Sequence, residues 1–89
     1  MELSTEIVSD PGPTLLIVED EAPMRRFLRA ALGSHGFRVV EAATAREGAS
    51  LATANSPDMI LLDLGLPDEA GLELVRRLRE WCTLPIIVL

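Results

Sequence analysis

Short aliphatic runs that alternate with amphipathic helical stretches predict an α/β domain, a parallel sheet in the order β-α-β-α-β-α-β. Three observations carry this. Four short runs are dominated by Val, Ile and Leu, as suits strands covered on both faces. The stretches between them place apolar residues three and four apart, one face of a helix. The chain has 89 residues, 48% hydrophobic and 25% charged, which is one small domain and too apolar for disorder.

Met1 to Pro13 mixes acids, Ser, Thr and a Pro-Gly-Pro turn, and reads as a flexible leader without a secretory signal. Thr14–Val18 (TLLIV) is the first strand, followed at once by Glu19, Asp20 and Glu21. Pro23 suits a first helical turn, where its missing N–H costs nothing. Met24, Phe27, Leu28, Ala31 and Leu32 then share one helical face, with Arg25, Arg26 and Arg29 off it, until Gly33 and Gly36. Phe37–Glu41 (FRVVE) is the second strand. Thr44 and Glu47 have capping-box spacing and start a helix to which Ala45, Ala49, Leu51 and Ala52 give a small-residue face. Asn55, Ser56 and Pro57 end it, and Met59–Leu62 (MILL) is the third strand, closed by Asp63. Leu64–Gly71 is a loop containing Pro67. Leu72–Trp81 is the third helix, where Glu73 and Arg77 have the spacing of a favourable ion pair. Pro85–Leu89 (PIIVL) is the fourth strand.

Composition excludes several chemistries. Fourteen acids against eight bases give a net charge of −6, which argues against this chain gripping a nucleic-acid backbone. Every base is Arg, so Schiff-base and P-loop lysine chemistry are excluded. One Cys permits no internal disulfide and fits a reducing cytoplasm. No apolar run approaches the roughly 18–20 residues of a membrane span.

In an open parallel sheet, ligands bind beyond the carboxyl ends of the strands. The first strand ends in Glu19 and Asp20 and the third in Asp63. If these strands are neighbours, three carboxylates meet on one rim and repel each other unless a cation neutralises them. Mg²⁺, a hard oxygen-seeking ion, suits such a half-cage, and an Asp beside it can attack phosphorus. The plain alternative is that these acids are solvated loop or helix-cap residues.

The segments LLIVEDE, MILLDLGLPDEAGLELVRRLR and LPIIVL together resemble the receiver domain of two-component response regulators, over Thr14 to Leu89. The stretch EDEAPMRRFLRAALGSHGFRVVEA with DLGLPD resembles, within that family, the OmpR-type regulators of Kdp potassium-uptake operons. The resemblance implies a flavodoxin-like sheet with strand order 2-1-3-4. It makes Asp63 the phosphoacceptor and Glu19 and Asp20 the acidic pocket. Mg²⁺ would be held by Asp20, Asp63, the Gly65 carbonyl and Glu19, while Pro67 and Gly71 shape the following loop. The phosphoryl donor would be a sensor histidine kinase or a small acyl phosphate. The chain would be a cytoplasmic signalling domain rather than an enzyme. Transcriptional output would need a winged-helix DNA-binding domain elsewhere in the parent protein.

The family pattern continues with a Ser or Thr after the fourth strand, a fifth strand ending in Lys-Pro, and two further helices. This sequence stops at Leu89 and has no Lys, so residues 14–89 read as the N-terminal part of a receiver. Two expectations follow. The chain could be a switch-incompetent fragment, and an apolar fourth-strand edge could pair two chains into a dimer. An Asp-nucleophile phosphohydrolase fits less well, because Asp63-Leu64-Gly65 lacks a second acid and no Lys meets phosphate.

The remaining residues take plainer roles. His35 reads as a surface-loop residue, Cys82 as a structural thiol and Trp81 as core or half-core. Arg76, Arg77 and Arg79, like Arg25, Arg26 and Arg29, read first as solvated helix faces. The resemblance lends the first-helix arginines some weight as a kinase-docking face.

Overall fold

Residues 12–89 are described by the computed structural model; the leader expected over residues 1–13 lies outside them apart from Gly12 and Pro13. The elements are β1 (Thr14–Val18), α1 (Ala22–Gly33), β2 (Arg38–Ala42), α2 (Ala45–Asn55), β3 (Met59–Leu62), α3 (Gly71–Arg79) and β4 (Ile86–Val88). They build one parallel sheet in the order β2-β1-β3-β4. Both the alternation and the strand order agree with the sequence reading.

Side-chain alternation along the strands divides the interior in two. Leu16, Val18, Ile60 and Leu62 face α2 and α3, where they pack with Ala45, Ala52, Leu74 and Leu78. Leu15, Ile17 and Leu61 face the other way, against Leu28 and Leu32 of α1 and against Phe37. The two central strands are buried on both faces because helices cover both, which is why they carry no polar alternation.

α1 binds the sheet with only the inner half of its stripe. Phe27 remains 65% and Met24 43% exposed. At the other end of the sheet, Ile87 and Val88 of β4 and the following Leu89 are 47%, 43% and 53% exposed.

Boundaries differ from the sequence reading where hydrogen bonds outrank composition. β2 begins at Arg38, whose N–H donates to Pro13 O at 2.8 Å, whereas the Phe37 N–H turns back to Leu32 O and closes the turn after α1. β2 then runs on to Ala42, whose carbonyl accepts the Glu19 N–H at 3.0 Å. α3 begins at Gly71 and stops at Arg79. Trp81 therefore falls in the turn beyond it, 54% exposed, and is neither core nor half-core as its spacing suggested. The expected Glu73–Arg77 pair does not form. Arg76 takes Glu73 at 2.5 Å, and Arg77 lies 3.2 Å from Glu69. His35 is exposed in the turn after α1, and Cys82 is half-buried against the α2–α3 side of the core.

Gly48 was not singled out in the sequence, yet it sets how closely α2 lies on β1. A Cβ there would sit 2.9 and 3.1 Å from the two methyls of Val18, a fully buried, β-branched residue. Gly48→Ala should gain about 1 kcal/mol of helix propensity and lose about 1–3 kcal/mol to overpacking. The expected result is a net loss of about 1 kcal/mol, read as a lower urea midpoint with an unchanged m-value.

Candidate functional site

The β1–β3 register positions the site. Val18 pairs with Leu62, so the next residues, Glu19 and Asp63, leave the sheet side by side. The Asp63 N–H continues the ladder by donating to Val18 O at 3.0 Å. Carboxylate oxygens of Glu19, Asp20 and Asp63 all lie within 4.8 Å of one another. The three acids singled out in the sequence thus form one cluster, graded from buried Glu19 through half-buried Asp63 to exposed Asp20.

Local hydrogen bonds set these side chains. Glu19 Oε2 accepts the Glu21 N–H at 3.0 Å, which folds the acidic turn back on itself. Asp63 Oδ1 accepts the Gly65 N–H at 3.1 Å, an Asx-type turn that starts the next loop. That loop is anchored at its middle by Leu66, 8% exposed and packed into the core, while Gly65 and Pro67 stay at the surface. Its end closes where the Gly71 N–H donates to Leu64 O at 2.8 Å. A Cβ at Gly71 would meet Leu64 Cα at 2.6 Å and Asp63 O at 2.7 Å, so any larger residue would push α3 off the strand end.

The cluster carries uncompensated negative charge. Burial raises the pKa of Glu19, and the Asp63 and Asp20 carboxylates add to it, against the lowering effect of the Glu21 N–H. Among the described residues, the arginine ion pairs go to Glu41, Glu73 and Glu69 instead. In the folded chain Glu19 holds its proton more tightly than in the unfolded chain. It therefore costs stability at neutral pH, a cost that fades as pH falls through the raised value. Three converging carboxylates without a cationic side chain on them are the donor set that a hard divalent cation relieves, so Mg²⁺ fits these residues.

Two supports were not legible in the sequence. Arg25 reaches back from α1 and donates to Glu19 O at 2.8 Å and to Asp20 O at 3.4 Å. Its Nε also donates to Glu41 Oε1 at 3.2 Å, and Arg29 holds the other oxygen of Glu41. Asp68, in the loop after β3, accepts the N–H groups of Ala45 and Arg46 at 2.8 and 2.9 Å. Thr44 accepts the Glu47 N–H at 3.1 Å, so the first turn of α2 has acceptors for three consecutive donors. Glu47 answers through the Ala43 N–H at 2.7 Å, one residue earlier than the usual capping box. A lone Asp after Pro signals none of this, because its partners lie over twenty residues away.

The family profile of the response regulator receiver domain matches residues 15–89. This chain belongs to that family. The receiver is 55% identical over 75 residues to the KDP operon transcriptional regulatory protein KdpE of Escherichia coli K12, covering 84% of this chain and 33% of KdpE. It is 41% identical over 81 residues to the phosphate regulon transcriptional regulatory protein PhoB of Pseudomonas aeruginosa, covering 88% of this chain and 35% of PhoB. The chain thus spans about a third of the length of these curated relatives. Among solved structures, the BeF3-activated N-terminal receiver domain of Klebsiella pneumoniae RstA superposes with a TM-score of 0.82 at 31% identity, covering 84% of this receiver and 64% of that chain. No helix among the described residues is long and apolar enough to cross a membrane.

The two backbone N–H donors from α2 hold the Asp68 carboxyl below its ordinary value of 3.8. Its contribution is present above that value and lost as pH falls through the lowered one. Asp68→Ala is therefore expected to lower the urea midpoint at pH 7. The gap to wild type should close as titration proceeds below about pH 3.8, because protonation has then weakened the same cap in wild type.

Proposed function

We propose that this receiver is the phosphoacceptor of a two-component response regulator and takes a phosphoryl group onto Asp63. The supporting observation is that Glu19, Asp20 and Asp63 converge within 4.8 Å at the carboxyl ends of two paired strands. Asp20 and Asp63 would ligate Mg²⁺, joined by the Gly65 carbonyl and by Glu19 directly or through water. When bound, the ion lowers the repulsion between the acidic cluster and the incoming phosphoryl oxygens. An Asp63 oxygen attacks phosphorus, and the O–P bond forms as the P–N bond to a kinase phosphohistidine breaks. The electron pair stays on the imidazole nitrogen, which takes up a proton. With acetyl phosphate the P–O bond breaks instead and acetate leaves. Pro67 and Gly71 shape the loop that presents Asp63.

For the whole protein we propose a cytoplasmic transcription regulator of a Kdp-type potassium-uptake operon, on the likeness to KdpE. Its partner would be a sensor histidine kinase, and DNA contact would fall to a region this chain does not include. Turnover of a free substrate is no part of this reading.

Incubation with Mg²⁺ and acetyl phosphate should give a phosphoryl mass shift that is lost without Mg²⁺ and in Asp63→Asn. Labelling that survives Asp63→Asn would sink the assignment. No labelling and no response to beryllofluoride would leave the switch-incompetent reading, whereas steady turnover of a phosphoester would favour the hydrolase.

The open edge at Ile87, Val88 and Leu89 supports self-association of the 89-residue chain through β4. Light scattering at micromolar concentration should return a dimer mass; a monomer mass counts against it.

A further inference from the structure

Each acidic residue of the β1–α1 turn has to be held in place against the repulsion of the others. Glu19 is tethered at three points. Its N–H donates to Ala42 O at 3.0 Å, its carboxylate accepts from Glu21, and its carbonyl accepts from Arg25 at 2.8 Å. The first is ordinary sheet ladder and the second is local. The third is a side chain from the first turn of α1, and the same guanidinium touches Asp20 O.

Arg25 is itself held. Its Nε donates to Glu41, which Arg29 grips from the other side. The Arg25 and Glu41 side chains are only 21% and 25% exposed, so this is not a loose surface pair. Guanidinium geometry allows one residue to serve both a carboxylate and a carbonyl; an ammonium, a point charge on a flexible stem, lacks that fork. The contacts are to main-chain oxygens and not to the three carboxylates. Arg25 thus spans the end of β2, the start of α1 and the acidic turn.

We propose that Arg25, oriented by Glu41, is a positioning residue that presets the Glu19–Asp20 turn for divalent-cation binding and hence for phosphoryl acceptance at Asp63. This rests on the function proposed above. Two effects of removing Arg25 oppose each other. Loss of a positive charge near the site would favour a cation, and loss of the clamp would loosen two of its ligands. The clamp dominates, because the charge is already spent largely on Glu41 and the carbonyls.

The test measures Mg²⁺ affinity of the 89-residue chain by calorimetry, with far-UV circular dichroism and urea midpoints alongside. Arg25→Lys and Arg25→Met should both weaken Mg²⁺ binding about tenfold, the scale of one charge-assisted hydrogen bond. Glu41→Gln should weaken it by a smaller factor. Affinities are compared only for variants whose urea midpoints keep them folded without Mg²⁺, so that weaker binding reports the turn and not an unfolded fraction that the ion would itself refold. Wild-type affinity in all three variants overturns the inference. So does wild-type affinity in Arg25→Lys with tighter binding in Arg25→Met, the signature of charge alone. Glu41→Gln keeps the inference testable should the Arg25 variants not fold, and unchanged affinity there overturns it. A wild-type chain that binds no Mg²⁺ overturns the functional reading and this inference with it, whereas binding in wild type with unaffected variants overturns the inference alone.

Discussion

The parallel pairing of β1 with β3 is the constraint from which the site follows. With Val18 set opposite Leu62, Glu19 and Asp63 must emerge together at one end of the sheet. The pairing is maintained by side chains buried on both faces, Ile17, Val18, Ile60 and Leu62 among them. A slip of one residue would turn that apolar set toward the wrong helices and separate the acids along the strand axis. The core therefore enforces a carboxylate proximity that electrostatics alone would disperse. That proximity carries a cost in stability at buried Glu19, whose pKa is raised by burial and by the neighbouring carboxylates.

Around that cluster, polar side chains are used mainly to occupy main-chain groups that strands and helices leave unpaired. Arg25 takes carbonyls at the end of β1, Asp68 takes N–H groups at the start of α2, and Arg79 donates to Leu84 O at 2.8 Å ahead of β4. Each joins an element end to a neighbour that is remote in sequence or across a turn. Such contacts meet the requirement that half-buried backbone donors and acceptors be satisfied. They also tie the loop after Asp63 to α2, and the acidic turn to β2. The receiver rim is thus one hydrogen-bonded unit and not a set of independent loops.

The end of α3 and its ion pairs depart from local pattern for one reason. Helical spacing extended α3 to Trp81 because the apolar period continues, but the helix ends at Arg79 and Trp81 swings into solvent. Glu73 and Arg77 have ideal spacing, yet Arg76 and Glu69 offer nearer partners. Local pattern ranks what one element prefers. It does not contain the competing partners that other elements bring.

Element order, the buried character of the central strands and the candidate acids are written in local composition, because burial on two faces and helical amphipathicity leave their marks within a few residues. Proximity of Asp63 to Glu19 and Asp20 was conditional on strand adjacency, and only the folded sheet supplied it. Gly48, Arg25 and Asp68 were silent in the chain for the same reason. What matters about each is a distance to an atom of another element, the Val18 methyls, the Glu19 carbonyl or the Ala45 N–H, and no such distance exists until the chain has closed on itself.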